Sequence, residues 1–457
     1  MSKNIFGEIL RLGWPVFVAQ IAVMANGFID TVMAGHYSTV DLAAVGIGAS
    51  IYFSVFVAIM GVLLALTPTV SQLYGAGRYS EVGEEVRQSI WLSLALMLLC
   101  LAALRFPEPF LALTRLDPEV EAITRGYLNA AAWGVPAMLL FRVFYGFSTA
   151  VSKPRTIMVL NLAGLALKVP LNWVFMYGKF GLPAMGGVGS AVSSSVIAWL
   201  IAALAWYWCY ADNDYGRYHV FRRWSWPDLK RIGRLVSLGL PIGATFFVDV
   251  TGFTFMALFI ARLGAVNAAA HQIAGNFAAL LYMLPLAVGN AASVLVGQAI
   301  GAREFGRARV IGITGTAFAF GIACVIGLAV MLSTRPLATL YSSDANVVAL
   351  ASTLLAFVAV YHLFDSIQAV AVNVLRGYKR AVVPMAIYAF ALWGVGLGGG
   401  YTLGLTYVDV SWLGVVTPMG AKGFWTAAIG SLLVAGSLVS LYFLRVSAKA
   451  AAQPPLG

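Results

Sequence analysis

Apolar residues run along this chain in long blocks rather than in alternation. From Gly239 to Arg262 the order is Gly-Leu-Pro-Ile-Gly-Ala-Thr-Phe-Phe-Val-Asp-Val-Thr-Gly-Phe-Thr-Phe-Met-Ala-Leu-Phe-Ile-Ala-Arg. About 20 such residues cross the hydrocarbon core of a bilayer as a helix. The lack of a sustained period of two argues against an outer-membrane barrel. Scanning for runs of this length, bounded by charges, Gly or Pro, predicts twelve spans. In the first half they fall at 10–34, 44–73, 88–110, 124–150, 156–178 and 187–211. In the second half they fall at 233–261, 268–300, 309–333, 347–375, 382–406 and 420–445. The pattern is that of an all-α polytopic membrane protein.

Composition agrees. Of 457 residues, 61% are hydrophobic and 10% charged, where a soluble domain carries roughly 25% charged residues. The 47 glycines suit close packing of membrane helices. A net charge of +11 raises the question of nucleic acid, but the basic residues sit in short loops between apolar runs, so nucleic acid is not an expected partner. Their distribution instead sets orientation. With the N-terminus in the cytoplasm, twenty Lys and Arg residues lie in inner segments and seven (Arg105, Arg115, Arg125, Lys179, Arg262, Arg335 and Lys422) in outer ones. Both termini are therefore expected to be cytoplasmic, in a bacterial-type inner membrane. The N-terminus leads directly into a full-length span and lacks the short apolar core of a signal peptide, so no cleavage is expected. Cys100, Cys209 and Cys324 are far apart and read as small apolar fillers.

The two halves match. A constant shift of 226 places Leu12-Gly13 on Leu238-Gly239, Pro15 on Pro241, Gln72 on Gln298, Gly75-Ala76 on Gly301-Ala302 and Lys153 on Lys379. An even number of spans per repeat makes the repeats parallel, with a pseudo-twofold axis along the membrane normal and a cavity between two six-helix lobes. The predicted organisation is an N-lobe at 1–211, a cytoplasmic linker at 212–232 and a C-lobe at 233–457. The linker holds Arg217, Arg222, Arg223, Lys230 and Arg231, and its Trp224 and Trp226 suit the headgroup region, so it is expected to lie on the inner leaflet.

Few ionisable residues interrupt the spans. Asp30, Asp249 and Asp365 are carboxylates, and Arg142 and Lys168 are cations. An acid in hydrocarbon costs several kcal/mol and marks a binding or relay site unless neighbouring helices satisfy it. Under the repeat the three acids fall on Met256, Val23 and Leu139, so symmetry does not demand them. Tyr361 precedes Asp365 by four residues and shares its helical face. With Asp249 these would form a hard oxygen site for a small cation such as sodium, or for protons. Asn26 precedes Asp30 by four residues, and Lys168 and Asn172 flank Pro170. Pro170 can bend its helix and free carbonyls. Asp30 is the natural partner for Lys168, whose alternative is to snorkel to an interface. Arg142 is expected to pair locally.

Enzymatic readings lack their residues. There is no His-Glu-x-x-His, Gly-x-Ser-x-Gly or Walker A motif, and His36, His219, His271 and His362 show no metal-ligand spacing. Without a nucleotide site, energy would come from an ion gradient, and no cofactor is expected. A flippase for lipid-linked precursors is the main alternative; its cavity should be markedly cationic to hold pyrophosphate.

Several motifs resemble the multidrug and toxic compound extrusion (MATE) family, NorM-like branch. They are Gly-Leu-Pro-Ile-Gly at 239–243, Ala-His-Gln-Ile at 270–273 and Val-Gly-Gln-Ala-Ile-Gly at 296–301, with Pro-Leu-Asn-Trp at 170–173 and Met-Gly-Gly-Val-Gly-Ser-Ala at 185–191. The resemblance covers essentially the whole chain. It implies a V-shaped two-lobe antiporter, acting as a monomer among membrane lipids, that exports bulky, often cationic drugs in exchange for sodium ions or protons. It also implies roles: Asp30 for the first-lobe acid, Asn172 for its polar partner, and Tyr361 with Asp365 for the second-lobe cation site. Asp30, Asp249 and Asp365 would face the substrate cavity. There are two departures. Asp249 stands where NorM-like proteins carry Glu, and Lys168 where relatives often have Asn, so an ammonium could take the place of a first-lobe sodium ion.

Overall fold

The computed structural model describes residues 4–111, 116–407 and 418–452. Arg115, counted above among the outer basic residues, lies outside them. Among the described residues the chain is helical without strands, and twelve helices are long and apolar enough to cross a membrane. They are α1 (Ile5–Tyr37), α2 (Thr39–Gly75), α3 (Tyr79–Arg105), α4 (Pro118–Ala150), α5 (Pro154–Tyr177) and α6 (Gly186–Ala211). After them come α7 (Leu229–Ala261), α8 (Ala265–Gly301), α9 (Phe305–Leu332), α10 (Ala345–Gly377), α11 (Val382–Leu405) and α12 (Ala421–Ala451). Each predicted span has its helix.

The ends differ where polar turns continue a helix beyond its apolar run. Helix α3 starts at Tyr79 rather than 88, and its added turns carry Glu81, Glu84 and Arg87, which hydrocarbon would not tolerate. It ends at Arg105, ahead of Pro107, rather than at 110. Helix α2 is interrupted after Leu63, where Leu64 and Ala65 bond back to Gly61 and Val62, three residues away. Pro68 explains the break, because it has no N–H for the Leu64 carbonyl and its ring crowds that carbonyl. In α11 the middle turns, Phe390–Gly398, widen to a π-helix within a Gly-rich run. Such widening changes which side chains face a neighbour and is frequent at functional sites.

The chain forms two compact units, Trp14–Gly243 and Met1–Gly13 with Ala244–Gly457. The sequence reading divides the chain at 212–232, whereas the units divide inside α1 and α7. In one unit Gly13 packs on Ala287 and Ala291 of α8; in the other Gly239 packs on Val62 of α2. A Cβ at Gly239 would fall 2.1 Å from the Val62 carbonyl oxygen, so only glycine permits this approach. The contacts are related by the shift of 226 to within one residue, which makes the internal repeat a feature of packing as well as of sequence.

The segment after α6 belongs to the Trp14–Gly243 unit and is pinned to it. Tyr215 and Tyr218 are buried against Phe147, and the Tyr215 hydroxyl lies 2.6 Å from Ser148 Oγ. Arg87 donates to the carbonyls of His219 and Val220 and to Ser225 Oγ, while Gln88 Nε2 donates to the Trp226 carbonyl at 2.9 Å. Trp224 and Trp226 stay exposed, as the headgroup expectation requires. Lys153 holds Asp212 at 3.1 Å and Asp214 at 2.8 Å. Its ammonium bond keeps Asp214 below the ordinary carboxylate range.

Candidate functional site

The in-span acids fall into two clusters, one in each unit. In the Trp14–Gly243 unit, Asp30 on α1 is joined by Lys168 and Asn172 on α5 and by a serine run at the start of α6. Lys168 Nζ lies 2.8 Å from Asp30 Oδ1, the ion pair that the cost of a bare ammonium demands. Asn172 Nδ2 donates to the same oxygen at 2.8 Å. Ser193 donates to Asn172 Oδ1, which fixes the amide so that its nitrogen faces the acid. Lys168 also donates to the Ser190 carbonyl and Ser193 Oγ, each at 3.3 Å, and to Ser194 Oγ. Lys168 is 1% exposed and Asn172 fully buried, so the cluster has little contact with its surroundings.

Local sequence explains the convergence. Lys168 and Asn172 stand four apart on one face of α5, which continues as a helix through Pro170. Small residues of Gly-Gly-Val-Gly-Ser-Ala bring α6 close to α5: a Cβ at Gly189 would fall 2.7 Å from the Met176 nitrogen. Asn26 is not brought in. Its Nδ2 donates to the Ala22 carbonyl of its own helix at 3.1 Å, although its spacing puts it on the face of Asp30. Arg142 sits elsewhere, with its guanidinium 4.5 Å from the centre of the Tyr145 ring.

In the other unit Asp249 on α7 accepts a hydrogen bond from the Tyr388 hydroxyl of α11 at 2.6 Å. Trp393, in the π-helical turns that follow, donates to the Val248 carbonyl at 3.2 Å. Asp365 is buried on α10, near enough for its charge to act on Asp249. Tyr361, one turn before it, packs edge-on against Phe253 and Trp425. Among the described residues, no Lys or Arg forms an ion pair with Asp249 or Asp365. The contrast with Asp30 is complete.

Asp249 also lines a small cavity of about 20 Å³, room for about one water or small ion. Thr245, Tyr282, Gln368, Asn373, Arg376 and Tyr388 share it. Sequence reasoning missed Tyr388, Tyr282 and the amides of Gln368 and Asn373. A phenol or amide inside an apolar run needs a polar partner, and that signal was present in the sequence. These oxygens, with two carboxylates, could hold a hard monovalent cation or pass protons.

The MatE family profile matches residues 15–174 and 241–402. The two segments begin at Pro15 and Pro241, which the shift of 226 relates. A probable multidrug resistance protein NorM of Aromatoleum aromaticum is 38% identical over 450 residues, 97% of this chain and 95% of that protein. The multidrug resistance protein PmpM of Pseudomonas aeruginosa is 38% identical over 439 residues, 96% of this chain and 91% of that protein. Among solved structures, the MATE transporter NorM-NG, in complex with a drug and a monobody, aligns with a TM-score of 0.80 and 33% identity, covering 96% of this chain and 94% of that one.

Proposed function

This chain belongs to the MatE family, and from that premise we propose that it exports bulky, often cationic drugs by antiport against sodium ions or protons. Members of this family are transporters rather than enzymes. The relatives named multidrug resistance proteins and the drug-bound NorM-NG complex support a small-molecule substrate. The single observation that carries the coupling is the pair of buried acids, Asp249 and Asp365, which have no Lys or Arg ion-pair partner among the described residues.

Two such carboxylates attract whatever cation reaches them, whether organic drug, sodium ion or proton. When an ion binds, their charge is neutralised and a cationic drug is held less tightly. Bound drug must weaken ion binding by the same factor. The Tyr388 hydroxyl, donating to ionised Asp249, stabilises the charged form until the ion arrives. Repeated on alternate sides of a bacterial inner membrane, this exchange is alternating access by a monomer with cytoplasmic termini. Tyr361 belongs to the same site through its place one turn before Asp365.

Efflux of ethidium or norfloxacin from cells expressing the chain tests the reading. Asp249→Asn and Asp365→Asn should each slow export by about tenfold or more, equivalent to about 1.4 kcal/mol of coupling. Full export by both variants would remove these acids from the mechanism.

A further inference from the structure

Each of the three in-span acids would attract a cation, but only Asp30 already has one. We propose that Lys168 is a built-in cation that fills the Asp30 site, so that this unit takes no free monovalent cation and coupling is left to Asp249 and Asp365. The proposal rests on the transport reading above and assigns its ion dependence to one unit.

The geometry is that of a filled site. An ammonium has three protons, and four acceptors lie within reach: Asp30 Oδ1, the Ser190 carbonyl, Ser193 Oγ and Ser194 Oγ. Those are one carboxylate and three neutral oxygens, the donor set a hard monovalent ion would also choose. Asn172 completes the acid's hydrogen bonding and is itself held by Ser193. A sodium ion arriving here would have to displace a cation tethered to α5, which cannot diffuse away. Because Lys168 is 1% exposed, displacement would also leave an ammonium buried without its carboxylate. Asp249 has no such resident: its hydrogen bond comes from neutral Tyr388.

Removing the tether should uncover the site. Lys168→Asn replaces the ammonium with an amide oxygen that can ligate a cation. Sodium binding is read by calorimetry and by thermal shift on purified protein, with choline chloride replacing NaCl at constant ionic strength. The pH is held at about 8.5, above the ordinary carboxylate range. With Asp249→Asn and Asp365→Asn in the background, the chain carrying Lys168 should bind no sodium. Adding Lys168→Asn should create one saturable site, about tenfold or more tighter than any residual binding, and Asp30→Asn should abolish it.

No gain of an Asp30-dependent site on removing Lys168, for Na+, Li+ or K+, overturns the proposal. A second comparison leaves position 168 unchanged: in the otherwise unaltered chain, Asp30→Asn should not alter the sodium titration. A site lost in that variant also overturns it. Because binding is read without transport, failure of the wild-type chain to export drugs would defeat the transport reading and still leave these titrations legible.

Discussion

Asp30 and Asp249 are both carboxylates inside membrane helices, yet their neighbours make them chemically different. Asp30 is bound to a tethered ammonium and Asp249 to a neutral phenol. For Lys168→Met we expect a loss of about 3–5 kcal/mol of stability, because one charge stays buried without its partner. The double variant Lys168→Met with Asp30→Asn should recover most of that loss, as thermal unfolding of the purified proteins would show. Tyr388→Phe keeps the ring and removes one hydrogen bond to a charged group, a loss of about 1.5–3 kcal/mol. It should slow ethidium efflux by about tenfold or more, and unchanged efflux would separate the phenol from the mechanism. At this scale the ion pair was legible in the sequence, since an ammonium in hydrocarbon needs an acid. Tyr388 was not, because the 139 residues between it and Asp249 leave no local spacing to read. Asn26 shows the opposite limit: i,i+4 spacing fixes a face, but its rotamer sends the amide to Ala22.

Helices were the most legible level, since run length and bounding charges decide where a chain can cross hydrocarbon. What run length does not carry is the path of the backbone within a span. The break at Leu64 could be read from Pro68, but the π-helical turns of α11 follow from packing of a Gly-rich run against its neighbours. One such contact is Gly252, where a Cβ would meet Leu392 at 2.8 Å. Gly239 is the sharpest case of close approach, and Gly239→Ala should destabilise the protein by about 1–3 kcal/mol through overpacking. Gly27, which has open space around it, is the matched control and should tolerate alanine. Equal melting temperatures for the two variants would contradict that packing. The docked segment after α6 adds a pH dependence. Lys153 lowers Asp214, and backbone hydrogen bonds from Arg231 and Lys230 lower Asp228, from ordinary values of 3.8. A depressed carboxylate stabilises the folded state above its unfolded value, and that stability is lost as pH falls through the folded value. Hydrogen-exchange protection of 213–228 should therefore hold from neutrality to about pH 4 and fall below it.

For the whole molecule, composition and the shift of 226 announced a two-fold repeat of membrane helices, and the paired Gly13 and Gly239 contacts carry that repeat into packing. The compact units depart from the halves because the first turns of α1 and α7 pack outside their own repeat. A repeat found by sequence shift reports ancestry of segments, whereas a compact unit reports which surfaces bury one another. The repeat also does not carry the function. The acids break it, and their neighbours give the two units different electrostatics. The central claim is that Asp249 and Asp365 hold drug and coupling ion in competition. Its most direct test is the affinity of purified protein for ethidium, titrated with sodium ions at fixed pH and with protons at fixed sodium. The wild-type chain should lose ethidium affinity by about tenfold as its coupling ion saturates, within the usual 1–3 kcal/mol range of such linkage. Asp249→Asn should show no such loss. An ethidium affinity that neither ion changes in the wild-type chain would contradict the account.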